Sequence, residues 1–181
     1  MKRIGFAKMQ CPIARCLERV GEWWTLLIVR DAFHGLKRFD EFEQSLGIAP
    51  NMLTRRLAAL VEAGVLEKRP YSERPPRYEY VLTERGRDLQ PVLVAMQVWG
   101  NTHFAPEGPS VVLIDAVTGS QADPILVDRA TGKPIAHPDF VVKAGPAARA
   151  STRRKLERSA WGGSMREPEV PQAAAPRRRK R

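Results

Sequence analysis

Hydrophobic and polar positions along this chain change period several times, and each change marks a predicted element. Behind Cys11-Pro12, the residues Ile13, Leu17 and Val20 recur at three- and four-residue steps. That spacing predicts a first helix over residues 11–20, with proline at an early helical position. Gly21 interrupts it, and the strongly apolar run from Trp24 to Phe33 predicts a second helix closed around Gly35. Phe39, Phe42 and Leu46 form one face of a short third helix. Gly47 supplies a turn, Pro50 helps start a fourth helix carrying Leu53, Leu57 and Leu60, and Gly64 ends it. Val65–Tyr71 and Arg77–Leu82 then read as strands around a turn at Ser72–Pro76. Pro70, Pro75 and Pro76 confine them to an edge ribbon. Finally Thr83-Glu-Arg-Gly caps a long helix through Leu89, Val92, Leu93, Met96 and Trp99, with a kink expected at Pro91.

Beyond Pro106 the character changes. Leu113-Ile-Asp-Ala-Val-Thr-Gly119 is echoed by Leu126-Val-Asp-Arg-Ala-Thr-Gly132, each copy reading as a short strand that runs into an Asp/Thr/Gly turn. Paired with each other, the copies would make a small β-rich extension over residues 105–144. Residues 145–181 read as a basic tail, disordered at its end, with a short helix near Thr152–Ala160. The fold class expected is mainly α with small β (α+β), a helical domain over residues 1–104 followed by extension and tail.

The centre of the pattern carries the functional suggestion. A helix small enough for the major groove, followed by a two-stranded ribbon with arginines at its tip, is the shape of a winged helix-turn-helix DNA reader. Net charge supports this less than it first promises. The chain carries +10, but the stretch from Arg149 onward holds eleven Lys/Arg against three Glu, so only about +2 belongs to residues 1–148. The tail either adds non-specific phosphate contacts, each steepening the salt dependence of binding by roughly one unit, or only keeps the chain soluble.

Other classes find little support. No apolar run approaches the ~20 residues that span a bilayer, and no apolar stretch follows the charged N-terminus as a signal peptide requires, so a cytoplasmic chain is expected. Two cysteines make neither a disulfide framework nor a zinc pair. His34, His103 and His137 have no clustered partners, and there is no phosphate-binding glycine loop. No enzyme, cofactor or metal is expected.

The order Cys11-Pro12, Trp24–Ile28, Arg38–Phe42, Leu53–Leu57, Glu62–Leu66, Pro75–Tyr80 and Leu82–Gly86 resembles the HxlR-type winged-helix transcriptional regulators over roughly residues 9–100. The resemblance implies a homodimer bound to double-stranded operator DNA, with the first helix and the long last helix of the domain forming the dimer interface. It also implies a recognition helix starting at Pro50. Asn51, Met52, Thr54 and Arg55 would face the groove, Arg56 matches a recurrent arginine, and Arg74 and Arg77 occupy the wing. Ala49 departs from the pattern, since relatives often place a serine there that can cap the helix. Where some relatives have cysteine pairs in the extension, this chain has Asp128 and Thr131, so the resemblance implies no metal.

Each site has a plainer reading beside it. The arginines of the fourth helix could form a solvated face, and Lys68 and Arg69 could simply protect an edge strand. Trp23, Trp24, Phe33, Phe39 and Phe42 are either an effector pocket or core. Cys11 stands at a helix N-terminus, where unpaired N–H groups favour thiolate, and some members of the family sense oxidants or electrophiles through a cysteine at this place. The plain alternative is a packed small side chain. Cys16 lies five residues on, with its Cα ~7.5–9 Å away along a helix, beyond disulfide reach, so any oxidative bridge would join two subunits. The competing functions are a protein-interaction module that reuses the winged fold, and non-specific DNA coating driven by the tail.

Overall fold

The structure is a computed structural model that describes residues 5–6, 8–136 and 138–157. His137 and the chain beyond Glu157, including most of the basic tail, lie outside the described residues. The elements run α1 (Pro12–Val20), α2 (Trp23–Phe33), α3 (Phe39–Leu46), α4 (Pro50–Glu62), β1 (Leu66–Glu73), β2 (Pro76–Leu82), α5 (Glu84–Arg87), α6 (Gln90–Phe104) and α7 (Ala150–Glu157). Two compact units divide the chain, Met1–Ile125 and Leu126–Arg181.

The core of the first unit comes from the periodic residues. Ile28 and Val29 of α2, Phe42 of α3, and Leu53, Leu57 and Leu60 of α4 are completely buried. Gly47 closes α3 in the left-handed region at φ 59°, and its N–H donates to the Glu43 carbonyl. A residue with a Cβ is disfavoured in that conformation. The reversal lays α4 across α3 and α2, the helix-turn-helix arrangement. A polar bolt adds to the apolar packing. Asp31 of α2, only 4% exposed, accepts from the Ser45 hydroxyl of α3 at 2.7 Å and from Arg30 Nε at 2.8 Å. Burying a carboxylate is tolerable only with such partners.

β1 and β2 pair antiparallel from Leu66↔Leu82 to Glu73↔Pro76, with a bulge that leaves Tyr71 unpaired. Both strands run further toward the tip than the prolines suggested, so the turn shrinks to Arg74-Pro75. Prolines on a two-stranded edge ribbon break no ladder beyond it, and the extra residue at Tyr71 absorbs the irregularity. A third, one-residue strand joins the ribbon: Arg38 bridges Glu79, and Tyr80 donates its N–H to the Lys37 carbonyl at 2.7 Å.

Two expectations change. The long final helix is not kinked at Pro91 but split, α5 ending at Arg87 and α6 beginning at Gln90. Proline lacks the N–H that would reach the Arg87 carbonyl, and its ring crowds that carbonyl, so the helix restarts with Pro91 in its first turn. The two repeats do not make a common ladder. Each folds back on the residues that follow it, Ile114 bridging Gln121 in one and Val127 bridging Pro134 in the other. Their turns are alike: Asp115 accepts from the N–H groups of Val117 and Thr118, and Asp128 from the N–H and hydroxyl of Thr131. A local carboxylate-to-backbone bond closes each turn without a second strand. Ile13 and Leu17 of α1 do not face the core. Ala14 and Val20 are the buried residues of α1, while Ile13 is 59% exposed.

Candidate nucleic-acid interface

Exposure along α4 alternates with burial at helical spacing. Leu53, Leu57 and Leu60 point into the core, and Asn51, Thr54, Arg55 and Ala58 share the opposite, exposed face. The helix starts at Pro50 behind Ala49, which provides no side-chain cap. The Thr54 hydroxyl donates back to the Pro50 carbonyl at 2.9 Å. This leaves Arg55 as the long cationic side chain of the face, and it makes no hydrogen bond or ion pair among the described residues.

Met52 and Arg56 are less exposed than the residues of that face. Met52 is half-buried and packs against the core cluster. Arg56 Nη2 donates to Glu22 Oε2 at 2.8 Å, with the two side chains 21% and 30% exposed. Both lie on the flank of α4 that turns toward the rest of the domain, because positions 52 and 56 are one turn apart and adjacent to the buried leucines. The recurrent arginine thus ties α4 to Glu22, the residue ahead of α2. Ala58, which the sequence did not single out, shares the exposed face of α4. Its signal was the i, i+3, i+4, i+7 spacing from Asn51, Thr54 and Arg55.

The wing uses most of its charges internally. Lys68 Nζ sits 3.8 Å from the centre of the Tyr78 ring, and Arg69 pairs with Glu67 at 2.7 Å. That bond to Arg69 holds the Glu67 carboxyl below its usual range. Arg38 stacks 4.6 Å from the Tyr71 ring centre and lies 3.5 Å from Glu79, so it clamps the wing to the start of α3. At that start Glu41 accepts from the N–H groups of Lys37 and Arg38, at 2.7 and 2.8 Å, which lowers its pKa. Arg74 and Arg77, exposed at the tip, have no such partners among the described residues. The arrangement offers α4 with its small-residue face and one arginine, and beside it a ribbon tipped by two further arginines. Guanidinium groups suit phosphate oxygens and guanine edges because their planar forks donate two parallel hydrogen bonds.

Behind the wing, Thr83 explains the Leu-Thr-x-x-Gly block. Its side-chain oxygen accepts from Gly86 N–H at 3.1 Å and its hydroxyl donates to the Gly64 carbonyl at 2.7 Å, capping α5 and tying it to the end of α4. Gly86 packs so close that a Cβ there would stand 2.2 Å from the Val65 carbonyl oxygen.

The comparisons with known proteins agree with this geometry. The HxlR-like helix-turn-helix model matches residues 19–108. The chain belongs to that family. It is 42% identical over 139 residues to the uncharacterised HTH-type transcriptional regulator Rv3095 of Mycobacterium tuberculosis, covering 76% of this chain and 88% of that one. Among solved structures it is similar to PA1374, a candidate transcription factor from Pseudomonas aeruginosa, at 55% identity and TM-score 0.60, over 81% of this chain and 100% of that one. It is also similar to PA1607, another candidate transcription factor, at 43% identity and TM-score 0.68, over 76% of this chain and 97% of that one. By contrast, the HTH-type regulator ytcD is matched over 97% of its length by 52% of this chain, at 34% identity and TM-score 0.50. The protein is a winged helix-turn-helix transcriptional regulator, not an enzyme.

Of the remaining candidates, Phe42 is core, and Trp24, Phe33 and Phe39 pack against it, whereas Trp23 is 89% exposed. Cys11 and Cys16 are both exposed free thiols, and Cys11 precedes α1 in extended conformation with Pro12 following. Arg15 donates from Nε to the Met9 carbonyl at 3.0 Å. No helix among the described residues is long and apolar enough to cross a membrane.

Proposed function

We propose that the chain acts as a homodimer that reads a specific operator in duplex DNA, with α4 in the major groove and the wing on flanking backbone or minor groove. The observation that carries this is the exposed face of Asn51, Thr54, Arg55 and Ala58 on α4, next to wing-tip arginines that the fold does not consume. Small residues let the helix backbone approach the base edges, and Arg55 supplies the bidentate donor. Arg74 and Arg77 supply phosphate or minor-groove contacts.

The dimer reading draws on α6. None of its 15 residues is buried, and Val92, Met96, Trp99 and Phe104 are exposed. An isolated helix of this length is marginal in water, and a second copy would cover it together with Ile13 and Leu17 of α1. Two half-sites would then lie whole helical turns apart, each ~10–10.5 bp. Cys11, exposed at the start of α1, would sense oxidants or electrophiles at that seam.

Fluorescence anisotropy at ~150 mM salt, comparing DNA upstream of the protein's own gene with scrambled duplex, tests the reading. A preference of ~10³-fold or more is expected. Equal, weak binding to both would leave the fold intact and move the function to non-specific coating through the basic tail.

A further inference from the structure

From Gln90 to Ile125 the chain is almost free of charge. α6 contains no Asp, Glu, Lys or Arg, and residues 105–125 contain only Glu107, Asp115 and Asp123, in a protein with 30 Lys+Arg. A surface lacking cations is unsuited to nucleic acid, whose affinity rests on them. The same stretch is apolar and uncovered. Val111, Ile114, Val117 and Ile125 are 54%, 57%, 94% and 64% exposed. Contiguous apolar patches beyond a few hundred Å² are rare on monomers and mark contact surfaces.

This patch is continuous with the α6 face. Gln97 Nε2 and Asn101 Nδ2 both donate to the Val111 carbonyl, at 3.1 and 2.9 Å. Two side chains one helical turn apart therefore fix the start of the extension to α6. The regulator ytcD is matched almost entirely by half of this chain, so a winged helix of this family stands without a counterpart of the extension. Folding of the DNA-reading domain does not demand these exposed aliphatics.

The chain also contains its own control. The turn of Asp115-Ala-Val117-Thr-Gly119 recurs as Asp128-Arg-Ala130-Thr-Gly132, closed by the same aspartate and threonine. Alanine suffices at the tip of the second copy. The fully presented valine at 117 is thus not needed to form the turn, and its apolar bulk is left for something outside the chain.

We infer that residues 109–125 form an arm of the dimer interface, with Ile114 and Val117 burying against a second copy of this chain. The inference rests on the homodimer reading and extends it beyond α1 and α6. A second copy fits because the surface is largely apolar, carries no cation and adjoins α6. Two-fold symmetry would let each chain's arm and helix face cover the other's, leaving neither patch in water.

Sedimentation equilibrium of the full-length protein tests this, with Val117→Asp, Ile114→Asp, Val117→Ala and Trp99→Asp as variants. All three positions are solvent-exposed in the single chain, and unchanged circular dichroism checks that each of the four variants folds. Val117→Asp and Ile114→Asp should each weaken dimerisation at least tenfold, with Val117→Ala in between. If Trp99→Asp dissociates the dimer while Val117→Asp and Ile114→Asp stay within twofold of wild type, the arm has no part in the interface and the inference falls, although the homodimer stands. A wild-type chain that stays monomeric at ~100 µM, above the micromolar range of specific association, would overturn both.

Discussion

Arg55 and Arg56 are neighbours in sequence with opposite surroundings, and in the proposed reading they separate recognition from support. The side chain of Arg55 projects from the exposed face of α4, while Arg56 reaches back to Glu22 at 2.8 Å. Arg55→Ala should weaken operator binding by about 1–3 kcal/mol, the value of one bidentate contact, with the melting temperature unchanged. Arg56→Ala should instead lower stability by about 1.5–3 kcal/mol, the range for a hydrogen bond to a charged group. Any loss of DNA affinity would then follow from a displaced helix. Thermal melts beside anisotropy titrations of the two variants check both directions. The spacing of the leucines made the core face of α4 legible. It did not make Arg56's partner legible, because Glu22 is 34 positions away and meets it only after α2 and α4 pack.

At the scale of elements, two local devices invite measurement. Gly86 of α5 lies against the start of β1, where an added Cβ would stand 2.2 Å from a backbone oxygen. Backbone cannot rotate aside as a flexible side chain can, so Gly86→Ala should cost about 1–3 kcal/mol or more, as overpacking does, seen as a lower midpoint in urea. The Asp turns of the extension respond to acid. The Thr118 N–H, then that of Val117, lowers the pKa of Asp115, and the Thr131 hydroxyl lowers that of Asp128. A lowered carboxylate pKa means that the turns are fully favoured above the ordinary aspartate value of 3.8 and lose that support as pH falls through the lower folded values. Amide shifts of Thr118 and Thr131 followed by NMR should move together in that acid window and stay flat from pH 5 to 8. Turn chemistry of this kind is local, so Asp, Thr and Gly announced it in the sequence. The pairing of the copies was not local, and each instead closed on its own following residues.

For the whole molecule, the helix exposures point outward to assembly. α1 and α6 leave Ile13, Leu17, Met96 and Trp99 in water, and Cys11 opens α1. In the dimer reading, a thiol at this seam can meet its counterpart, while Cys16 is too far along the same helix to bridge Cys11 of its own chain. Oxidation should therefore produce a covalent dimer on non-reducing gels and release DNA. Cys11→Ser should abolish both. Retention of oxidant-driven release in Cys11→Ser would remove that cysteine from any sensing role. Release without a change in the distance between recognition helices has no basis, since a signal shifts an equilibrium only through differential affinity for two arrangements.

The sequence alone determined what depends on neighbours along the chain: helices from apolar spacing, the ribbon from alternation and proline, the reversals at Gly47 and Gly64, and the ordered motif blocks that mark the family. Tertiary structure decided what depends on residues far apart. It turned Met52 and Arg56 inward, left Ile13 and Leu17 exposed, and clamped the wing through Arg38 onto Tyr71 and Glu79. It also split the last helix at Pro91. Periodicity tells which side chains share a face of a helix. Which face meets the core depends on what packs against it, and that is fixed only when distant segments compete for the same apolar surface.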